Sequence, residues 1–337
     1  MQNRLDTFRV LLVCHVSSKI GIGHLSRLLA LAQELRKNNY IKPEFLIFGD
    51  VFKKDELLGF DVYTRSIESD FTAAVEEMLQ INDFDALIFD LYSKHNINNP
   101  DEFFMRLKQR DICLVGIDSL LEHCNIFDLL WIPSFNFDCE NHNECSSLLR
   151  SGWDSFLIQK RLPHKDWIGG SKVLVLTGGS DVSGLGEILP GELDGLLDKD
   201  VEVHWVRGPF SAPPYLPKIC RLTWVVHDAP ERLDELIVQS NYVLTVFGVS
   251  FFEVLQYGIP TVVFSPYSLK DNDELLALSE EGVAMVADGC KDPVESLVEL
   301  MSNKELSKKY SMNALNKMSI NGAESLSKEF YSLIGSK

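Results

Sequence analysis

Residues 10–27 read VLLVCHVSSKIGIGHLSR, and this stretch sets the fold class. Its first seven residues form a short apolar run typical of a buried strand, and Leu25 begins a stretch with helical spacing. Gly21 and Gly23 permit a close backbone approach to a ligand because they carry no Cβ. The free N–H groups at a helix start favour an anion, and position 24 carries a histidine, the residue type whose side chain ordinarily changes charge near neutral pH. The stretch predicts either a ligand-binding turn or a tight turn with a packed histidine.

The charge balance of the chain argues against two classes of partner. The 337 residues include 49 acidic and 32 basic side chains, which gives a formal net charge of −17. Binding to nucleic acid or to an anionic membrane needs clustered Lys and Arg, so we expect neither partner. No apolar run approaches the roughly 18 residues of a transmembrane helix, so we also expect no integral membrane segment. The sequence leaves the oligomeric state open.

The cysteines predict a reduced chain. There are seven of them, and none belongs to a CxxC pair. This pattern is typical of a cytoplasmic protein rather than of a disulfide framework. Cys139, His142 and Cys145 are possible zinc ligands, but their spacing fits no common zinc site. We therefore expect a cytoplasmic protein with no metal and no cofactor.

Short apolar strands alternate with helices in two successive series. Uniformly apolar runs such as 86–89, 112–117 and 172–176 predict parallel strands covered on both faces. Residues 135–149 have the composition of an irregular loop, and residues 161–171 have that of a linker.

This rhythm predicts two doubly wound α/β domains. We expect the first over residues 1–165 and the second over residues 171–310. A C-terminal helix, 311–337, is expected to pack back on the first domain. Ligands of such a pair bind at the carboxyl ends of the strands, so we expect the site in a cleft between the domains.

Two glycine-containing turns in the second half are candidate nucleotide sites. Thr177–Asp181 contains Gly178, Gly179 and Ser180, whose backbone N–H groups and hydroxyl suit phosphate or sugar oxygens; the alternative is a turn in which Ser180 or Asp181 caps the next helix.

The second of these turns follows the strand at residues 242–246. Gly248 lies where that strand ends, and Ser250 follows it. Glu253 lies on the next helix, where its carboxylate suits ribose hydroxyls or simply complements the helix dipole.

Polar residues also follow two other strands. Asp90 ends a buried strand and Tyr92 follows, with Ser93–His95 behind it; the two share a face if the strand continues. The segment Ser268–Glu274 is polar, and Asp271 or Asn272 suits a helix cap. Each pattern is also compatible with an ordinary loop.

Taken in order, these segments resemble the nucleotide-sugar hydrolases of pseudaminic acid biosynthesis, which remove UDP from a diacetamido-trideoxyhexose. That family is similar in fold to the MurG-type glycosyltransferases, with two Rossmann-like domains in the GT-B arrangement. The matching segments are Gly21–Arg27, Asp90–Tyr92, Val115–Asp118, Asp128–Leu130, Thr177–Asp181, Glu253 with Gly258–Pro260, and Asp271–Asn272.

The resemblance implies a role for each matching residue. His24 corresponds to the catalytic histidine and Tyr92 to a tyrosine near the substrate. Glu253 corresponds to the acid that holds the UDP ribose, and Asn272, next to Asp271, to a residue that reaches the sugar. The glycine turns would hold the diphosphate.

The resemblance favours a metal-independent hydrolase that releases UDP from an amino-deoxy sugar in cell-surface (nonulosonic acid) glycan synthesis. The alternative is a GT-B glycosyltransferase in which His24 or Asp90 acts on an acceptor hydroxyl. A third possibility is a non-catalytic binding protein, since Phe247, Val249 and Phe251 replace glycine and hydroxyl residues of the family's phosphate loop. A nicotinamide-dependent enzyme is a further alternative, and the residue that favours it is Asp50, after the second strand.

Overall fold

Two parallel sheets, of seven and six strands in the described part of the chain, organise the molecule. They belong to a computed structural model that describes residues 7–50, 57–92, 97–142, 144–159, 161–181, 183–266, 271–287 and 292–335. The polar segments Ser93–His95 and Ser268–Lys270 lie outside these residues. The chain divides into a first unit, Met1–Ile158 with Ile320–Lys337, and a second unit, Gln159–Ser319.

The first unit alternates strands and helices. Its elements are β1 (Phe8–Val16), α1 (Gly23–Leu35), β2 (Ile41–Gly49), β3 (Asp61–Arg65), α2 (Phe71–Ile81), β4 (Ala86–Asp90), α3 (Pro100–Gln109), β5 (Cys113–Ile117), β6 (Leu129–Trp131) and β7 (Leu148–Arg150). The sheet order is β3-β2-β1-β4-β5-β6-β7. The chain runs outward from β1 to β3 and then returns to the other side of β1, so the order reverses between β1 and β4.

The second unit repeats this plan. Its elements are β8 (Lys172–Leu176), α4 (Leu185–Leu196), β9 (Glu202–Arg207), β10 (Thr223–Asp228), α5 (Leu233–Gln239), β11 (Tyr242–Val246), α6 (Val249–Leu255), β12 (Thr261–Phe264), α7 (Asn272–Glu281), β13 (Met285–Val286), α8 (Pro293–Ser302) and α9 (Lys304–Lys317). The sheet order β10-β9-β8-β11-β12-β13 reverses between β8 and β11. Both orders are of the Rossmann type, which confirms two doubly wound α/β domains.

The last helix, α10 (Gly322–Gly335), belongs to the first unit. The Tyr331 hydroxyl donates to the carbonyl oxygen of Leu35 at the end of α1. The Phe330 ring lies edge-on to Phe8 with 5.9 Å between centroids. The first strand and first helix are therefore packed against the last helix. None of the helices in the described part of the chain has the length and apolarity of a membrane span.

Two expectations about residues 120–150 are wrong. Leu148 and Leu149, assigned to an irregular loop, begin β7, which pairs with β6. A three-residue strand at a sheet edge is too short to show a period of two. The cysteines are also not all reduced, because Cys124 and Cys145 form a disulfide with their Cα atoms 5.2 Å apart. Their separation of 21 residues gave no signal in the sequence; hydrogen bonds between the loops bring them together.

The end of β2 requires a glycine. Gly49 has φ +134, and a Cβ at this position would lie 1.6 Å from the carbonyl oxygen of Val16. The same oxygen accepts a hydrogen bond from the N–H of Asp50 at 2.9 Å. The two strands therefore approach too closely for any side chain at this point.

We expect Gly49→Ala to lower the free energy of unfolding by about 3 kcal/mol or more, because backbone strain and overpacking add. Gly59→Ala is the matched control: Gly59 also has positive φ, but its nearest neighbour is the flexible end of Arg36 at 3.3 Å. Urea titration of both variants measures the difference. Equal losses would show that the close approach to Val16 has no energetic consequence.

Candidate functional site

The turn between β1 and α1 is closed by its own backbone. The Gly21 N–H donates to the carbonyl oxygen of Ser17 at 2.7 Å, and Gly21 has φ +84, which favours glycine. Helix α1 begins at Gly23, and the N-cap residue, Ile22, makes no side-chain cap hydrogen bond. The first N–H groups of α1 are therefore not capped by that side chain, which suits an anion.

Asp50, the residue on which the nicotinamide alternative rests, contacts the turn after β1. Its Oδ2 accepts a hydrogen bond from the Ser18 N–H at 3.1 Å, and the residue is exposed. The carboxylate therefore helps to hold the turn that precedes α1.

His24 and Asp90 meet where the sheet order of the first unit reverses. Cys14 of β1 is in register with Asp90 of β4, and His24 is the second residue of α1. The His24 Nδ1 lies 2.7 Å from Oδ1 of Asp90. The Asp90 side chain is fully buried, whereas that of His24 is 16% exposed. The imidazole therefore has one edge on a buried carboxylate and remains partly accessible.

Arg27 holds the same carboxylate from one turn further along α1. Its Nε donates to Oδ2 of Asp90 at 2.8 Å, and its Nη2 donates to Oδ1 at 2.6 Å. A third nitrogen, Nη1, donates to Oδ2 of Asp118, which follows β5, at 3.0 Å. Arg27 therefore connects α1 to the ends of two neighbouring strands.

The charges of this cluster follow from its contacts. Burial acts to raise the pKa of Asp90, but the charge of Arg27 and the contact with His24 outweigh it and hold that pKa below its usual value. Burial acts to lower the pKa of Arg27, but Asp90 and Asp118 raise it above its usual value. Burial and the charge of Asp90 raise the pKa of the neighbouring Cys14 thiol. The site thus contains a carboxylate, a guanidinium and a neutral thiol.

The ionised carboxylate also decides the tautomer of His24. An oxygen of Asp90 can only accept, so the proton of the imidazole must lie on Nδ1. The 3.1 Å approach of Arg27 Nη2 to the same nitrogen is then a close contact and not a hydrogen bond. In the neutral ring, Nε2 keeps its lone pair. This is the arrangement of a general base oriented by a carboxylate.

Tyr92 lies close in sequence but is placed differently. Strand β4 ends at Asp90, so the alternation that would put Tyr92 on the face of Asp90 does not reach it. The Tyr92 N–H donates to Nδ1 of the buried His15 at 3.2 Å. The structure thus fixes the backbone of Tyr92 at the end of the strand; its contact with a substrate remains a prediction.

Arg27 and Asp118 are the residues to which the sequence assigned no role. Both lie within segments of the family resemblance. Asp90 is a carboxylate at the end of an apolar strand, and a buried carboxylate needs a cationic partner. This requirement was the signal in the sequence that points to Arg27. Arg27 also lies three residues after His24, on the same face of the helix.

In the second unit, two loops flank the corresponding reversal of strand order, between β8 and β11. In the first loop Gly178 has φ +85. A Cβ on Gly208, after β9, would lie 2.4 Å from the Gly178 carbonyl oxygen and 2.5 Å from that of Gly179. The Phe210 N–H donates to Gly179. The loop that carries Ser180 is thus supported by the segment that follows β9.

Asp181 caps the helix that follows this segment, which is one of the two interpretations that the sequence offered. Its Oδ1 accepts from the Leu185 N–H at 2.9 Å and its Oδ2 from the Gly186 N–H at 2.8 Å. The carboxylate therefore caps α4. Because Asp181 carries out the capping, Ser180 is not needed for it.

The second loop contains Gly248, which has φ +154 and space for a Cβ. Helix α6 begins one residue later, with Ser250 in its first turn and no acidic residue there. Glu253 therefore lies beyond the turn in which a carboxylate complements the dipole. The Phe247 ring packs on Phe252 with 5.9 Å between centroids.

Asp271 and Asn272 lie beyond β12. The Asp271 carboxylate accepts a hydrogen bond from the Ser265 hydroxyl at 2.5 Å. Asp271 is the N-cap residue of α7, but its side chain makes no cap hydrogen bond. Asp271 is thus at the predicted cap position, but its side chain does not perform the capping. Asn272 is the first residue of α7 and is exposed.

No protein-family model matches the chain. An uncharacterised protein of Methanocaldococcus jannaschii is 25% identical over 278 residues, which cover 76% of this chain and 55% of that protein. The chain thus spans about half the length of the curated relative that it matches.

Solved structures of the same architecture cover nearly the whole chain. MurG of Acinetobacter baumannii superposes with a TM-score of 0.65 and 14% identity, over 96% of this chain and 99% of that one. The fold is GT-B. Phytolacca americana UGT2, complexed with UDP-2-fluoroglucose and pterostilbene, has a TM-score of 0.67 and 14% identity over 98% and 100% of the chains. The S. aureus MnaA–UDP complex has a TM-score of 0.64 and 12% identity over 94% of each.

We expect Arg27→Met to lower the free energy of unfolding by about 3–5 kcal/mol, because it leaves the buried charge of Asp90 without its main partner. Lys37→Met, just after α1, is the control: Lys37 is 70% exposed in its pair with Glu34, so its loss should be below about 1 kcal/mol. The measurement is urea unfolding at neutral pH. Similar losses in both variants would contradict the bridging role of Arg27.

Proposed function

We propose that this chain is an enzyme that displaces UDP from the anomeric carbon of a UDP-sugar and transfers the sugar to an acceptor hydroxyl. The observation that carries the proposal is the pair of His24 and Asp90, whose Nδ1 and Oδ1 atoms are 2.7 Å apart. Transfer to a hydroxyl needs a base that removes its proton as the new bond forms. Nε2 of His24 is that base in our proposal.

The carboxylate has a defined part in this reaction. As His24 takes the proton from the acceptor, the imidazole becomes an imidazolium. Asp90 is ionised and lies against Nδ1, so it stabilises the positive charge that develops on the ring. Arg27 does not touch the reacting atoms in this scheme; it keeps Asp90 charged and correctly oriented.

The nucleotide is assigned to the second unit. UGT2 and MnaA were each solved with a UDP ligand, and we propose the same class of ligand here. Backbone N–H groups at Gly178, Gly179 and Ser180, and at Gly248 and Ser250, would hold the diphosphate. This assignment is supported by the two loops that flank the reversal of strand order, where ligands of doubly wound sheets bind.

The remaining residues complete the proposal. Glu253 would accept hydrogen bonds from the ribose hydroxyls, which is supported by its place beyond the first turn of α6. Asp271 and Asn272 would contact the sugar. Gly21 and Gly23 would present the start of α1 to developing negative charge. Tyr92 would contact the substrate beside His24. A cytoplasmic location and a role in cell-surface glycan synthesis belong to the same proposal.

Hydrolysis is the second candidate. It is favoured by the sequence segments, from Gly21–Arg27 to Asp271–Asn272, that resemble a family of UDP-sugar hydrolases. The same base would then act on water. The two reactions differ in one measurable respect, which is whether UDP is released without an acceptor.

The test is a panel of UDP-sugars incubated with and without sugar acceptors, with UDP release as the readout. Release only with an acceptor supports transfer, and release without one supports hydrolysis. Binding without any turnover would identify a non-catalytic binding protein. A changed sugar that stays attached to UDP would also overturn the proposal.

We expect His24→Ala to reduce turnover by at least about 100-fold, the usual contribution of a general base, while nucleotide affinity stays nearly unchanged. His123→Ala is the matched control. His123 makes the same type of contact, Nδ1 to Oδ1 at 2.7 Å, but with Asp101 of α3 instead of Asp90. Turnover that survives in His24→Ala would exclude His24 as the base.

We expect Glu253→Gln to weaken UDP binding by about 1–3 kcal/mol if hydrogen bonds to an ionised carboxylate are lost. Glu295→Gln removes an equivalent charge from the exposed face of α8 in the same unit and should leave affinity unchanged. Calorimetric titration with UDP measures both. An unaltered affinity in Glu253→Gln would mean that Glu253 does not contact the ribose.

A further inference from the structure

The loop between β6 and β7 carries a cluster of metal-ligating side chains outside the candidate site. His142, Glu144 and Cys145 each offer one ligand atom, and these atoms lie within 4.8 Å of one another. Cys145 is bonded to Cys124, so a second sulfur adjoins the cluster. We propose that reduction of this disulfide creates a Zn²⁺ site formed by Cys124, His142, Glu144 and Cys145.

The backbone keeps the two cysteines together whether or not they are bonded. The Ser147 N–H donates to the carbonyl oxygen of Cys124 at 3.0 Å, and the Ser147 hydroxyl lies within hydrogen-bond distance of that oxygen and of the carbonyl of Phe127, to one of which it donates. The Ser146 N–H donates to Oδ1 of Asn125 at 2.9 Å. These contacts do not involve sulfur. The reduced thiols therefore stay in the same neighbourhood.

The other two ligands are held by local contacts. The Cys145 N–H donates to the carbonyl oxygen of His142 at 3.0 Å, which closes a His-x-x-Cys turn. The His142 ring stacks on Phe137 with 5.0 Å between centroids and 8° between planes. Its Nδ1 lies 3.9 Å from Oε1 of Glu144. The cluster is therefore partly organised before a metal arrives.

The ligand types select the metal. Two thiolates, one imidazole and one carboxylate make a four-coordinate set of the kind that Zn²⁺ prefers, whereas Mg²⁺ and Ca²⁺ require oxygen ligands. The set differs from the Cys139-His142-Cys145 pattern visible in the sequence. The Cys139 sulfur instead lies 3.2 Å from the Ser151 hydroxyl, and Cys124, 21 residues before Cys145, takes its place.

Reduction of the Cys124–Cys145 disulfide is balanced in electrons and protons when a dithiol is the reductant. The dithiol gives two electrons and two protons to the disulfide and becomes a cyclic disulfide itself, so that Cys124 and Cys145 become thiols. Zn²⁺ then binds both sulfurs and displaces their two protons to solvent. In the oxidised protein Cys145 has no thiolate to offer, so the site exists in one redox state only.

The experiment uses the full chain. The protein is reduced with dithiothreitol, freed of reductant under nitrogen and titrated with Co²⁺, a spectroscopic substitute for Zn²⁺. We expect one Co²⁺ per chain, with the visible bands of a tetrahedral ion and an ultraviolet thiolate charge-transfer band. Zn²⁺ should abolish these bands and protect two thiols from alkylation. The unreduced protein should show none of them.

Two surface variants keep the test independent of folding. The side chains of His142 and Glu144 are 30% and 72% exposed, so His142→Asn and Glu144→Gln should fold normally. We expect His142→Asn to weaken Co²⁺ binding at least tenfold and Glu144→Gln to weaken it less. Cys139→Ser, which removes a thiol from the same loop, should leave affinity unchanged.

Three results would overturn the proposal. The first is a reduced protein without the thiolate band. The second is binding that His142→Asn leaves intact or that Cys139→Ser abolishes, since the ligand set would then be different. The third is a disulfide that resists dithiothreitol in the folded protein, as shown by counting reactive thiols, because the native molecule would then have no such site.

Discussion

The first unit depends on one buried negative charge, the carboxylate of Asp90. A carboxylate removed from water is destabilising by several kcal/mol unless it is paired and fully hydrogen-bonded. Arg27 donates to both of its oxygens and His24 to one of them. Because Arg27 and His24 are both on α1, the need to satisfy Asp90 fixes the position of this helix against β4. The connection from Arg27 to Asp118 extends the constraint to the end of β5.

The same interaction makes the site chemically asymmetric. A buried ion pair adds little to stability compared with an apolar replacement of equal volume. The main effect of the pair here is to orient the groups around Asp90. The Asp90 carboxylate keeps the proton on Nδ1 of His24 and leaves Nε2 as an acceptor. Under the proposed function, one set of contacts therefore meets both a structural requirement, the neutralisation of Asp90, and a catalytic requirement, a base in one defined tautomer.

The sequence predicts those parts of the fold that depend on local pattern. The apolar runs of β4, β5 and β8 are short and uniform because both faces of each sheet are covered. Helix α4 has no such signature: it contains Pro190 and three glycines within 12 residues, and packing overrides their low helix propensity. For the site, His24 and Asp90 could be found from their places after strands. Their pairing and the part of Arg27 could not, since the contacts join residues 63 or more positions apart.

The two units differ in the charged groups at their reversals of strand order. The first unit places the Asp90–Arg27 pair there, whereas the loops of the second unit contain glycines, Ser180 and Ser250 rather than lysine or arginine. Under the proposed function this matters, because a chain of net charge −17 repels a nucleotide diphosphate at long range. That repulsion is screened beyond about 8 Å at physiological salt. Backbone N–H groups and the positive end of a helix act within that distance. Binding of UDP would therefore depend on oriented dipoles at close range. A loop whose backbone is held by a neighbouring segment, as Gly208 holds the loop of Gly178 and Gly179, suits this role better than flexible cationic side chains.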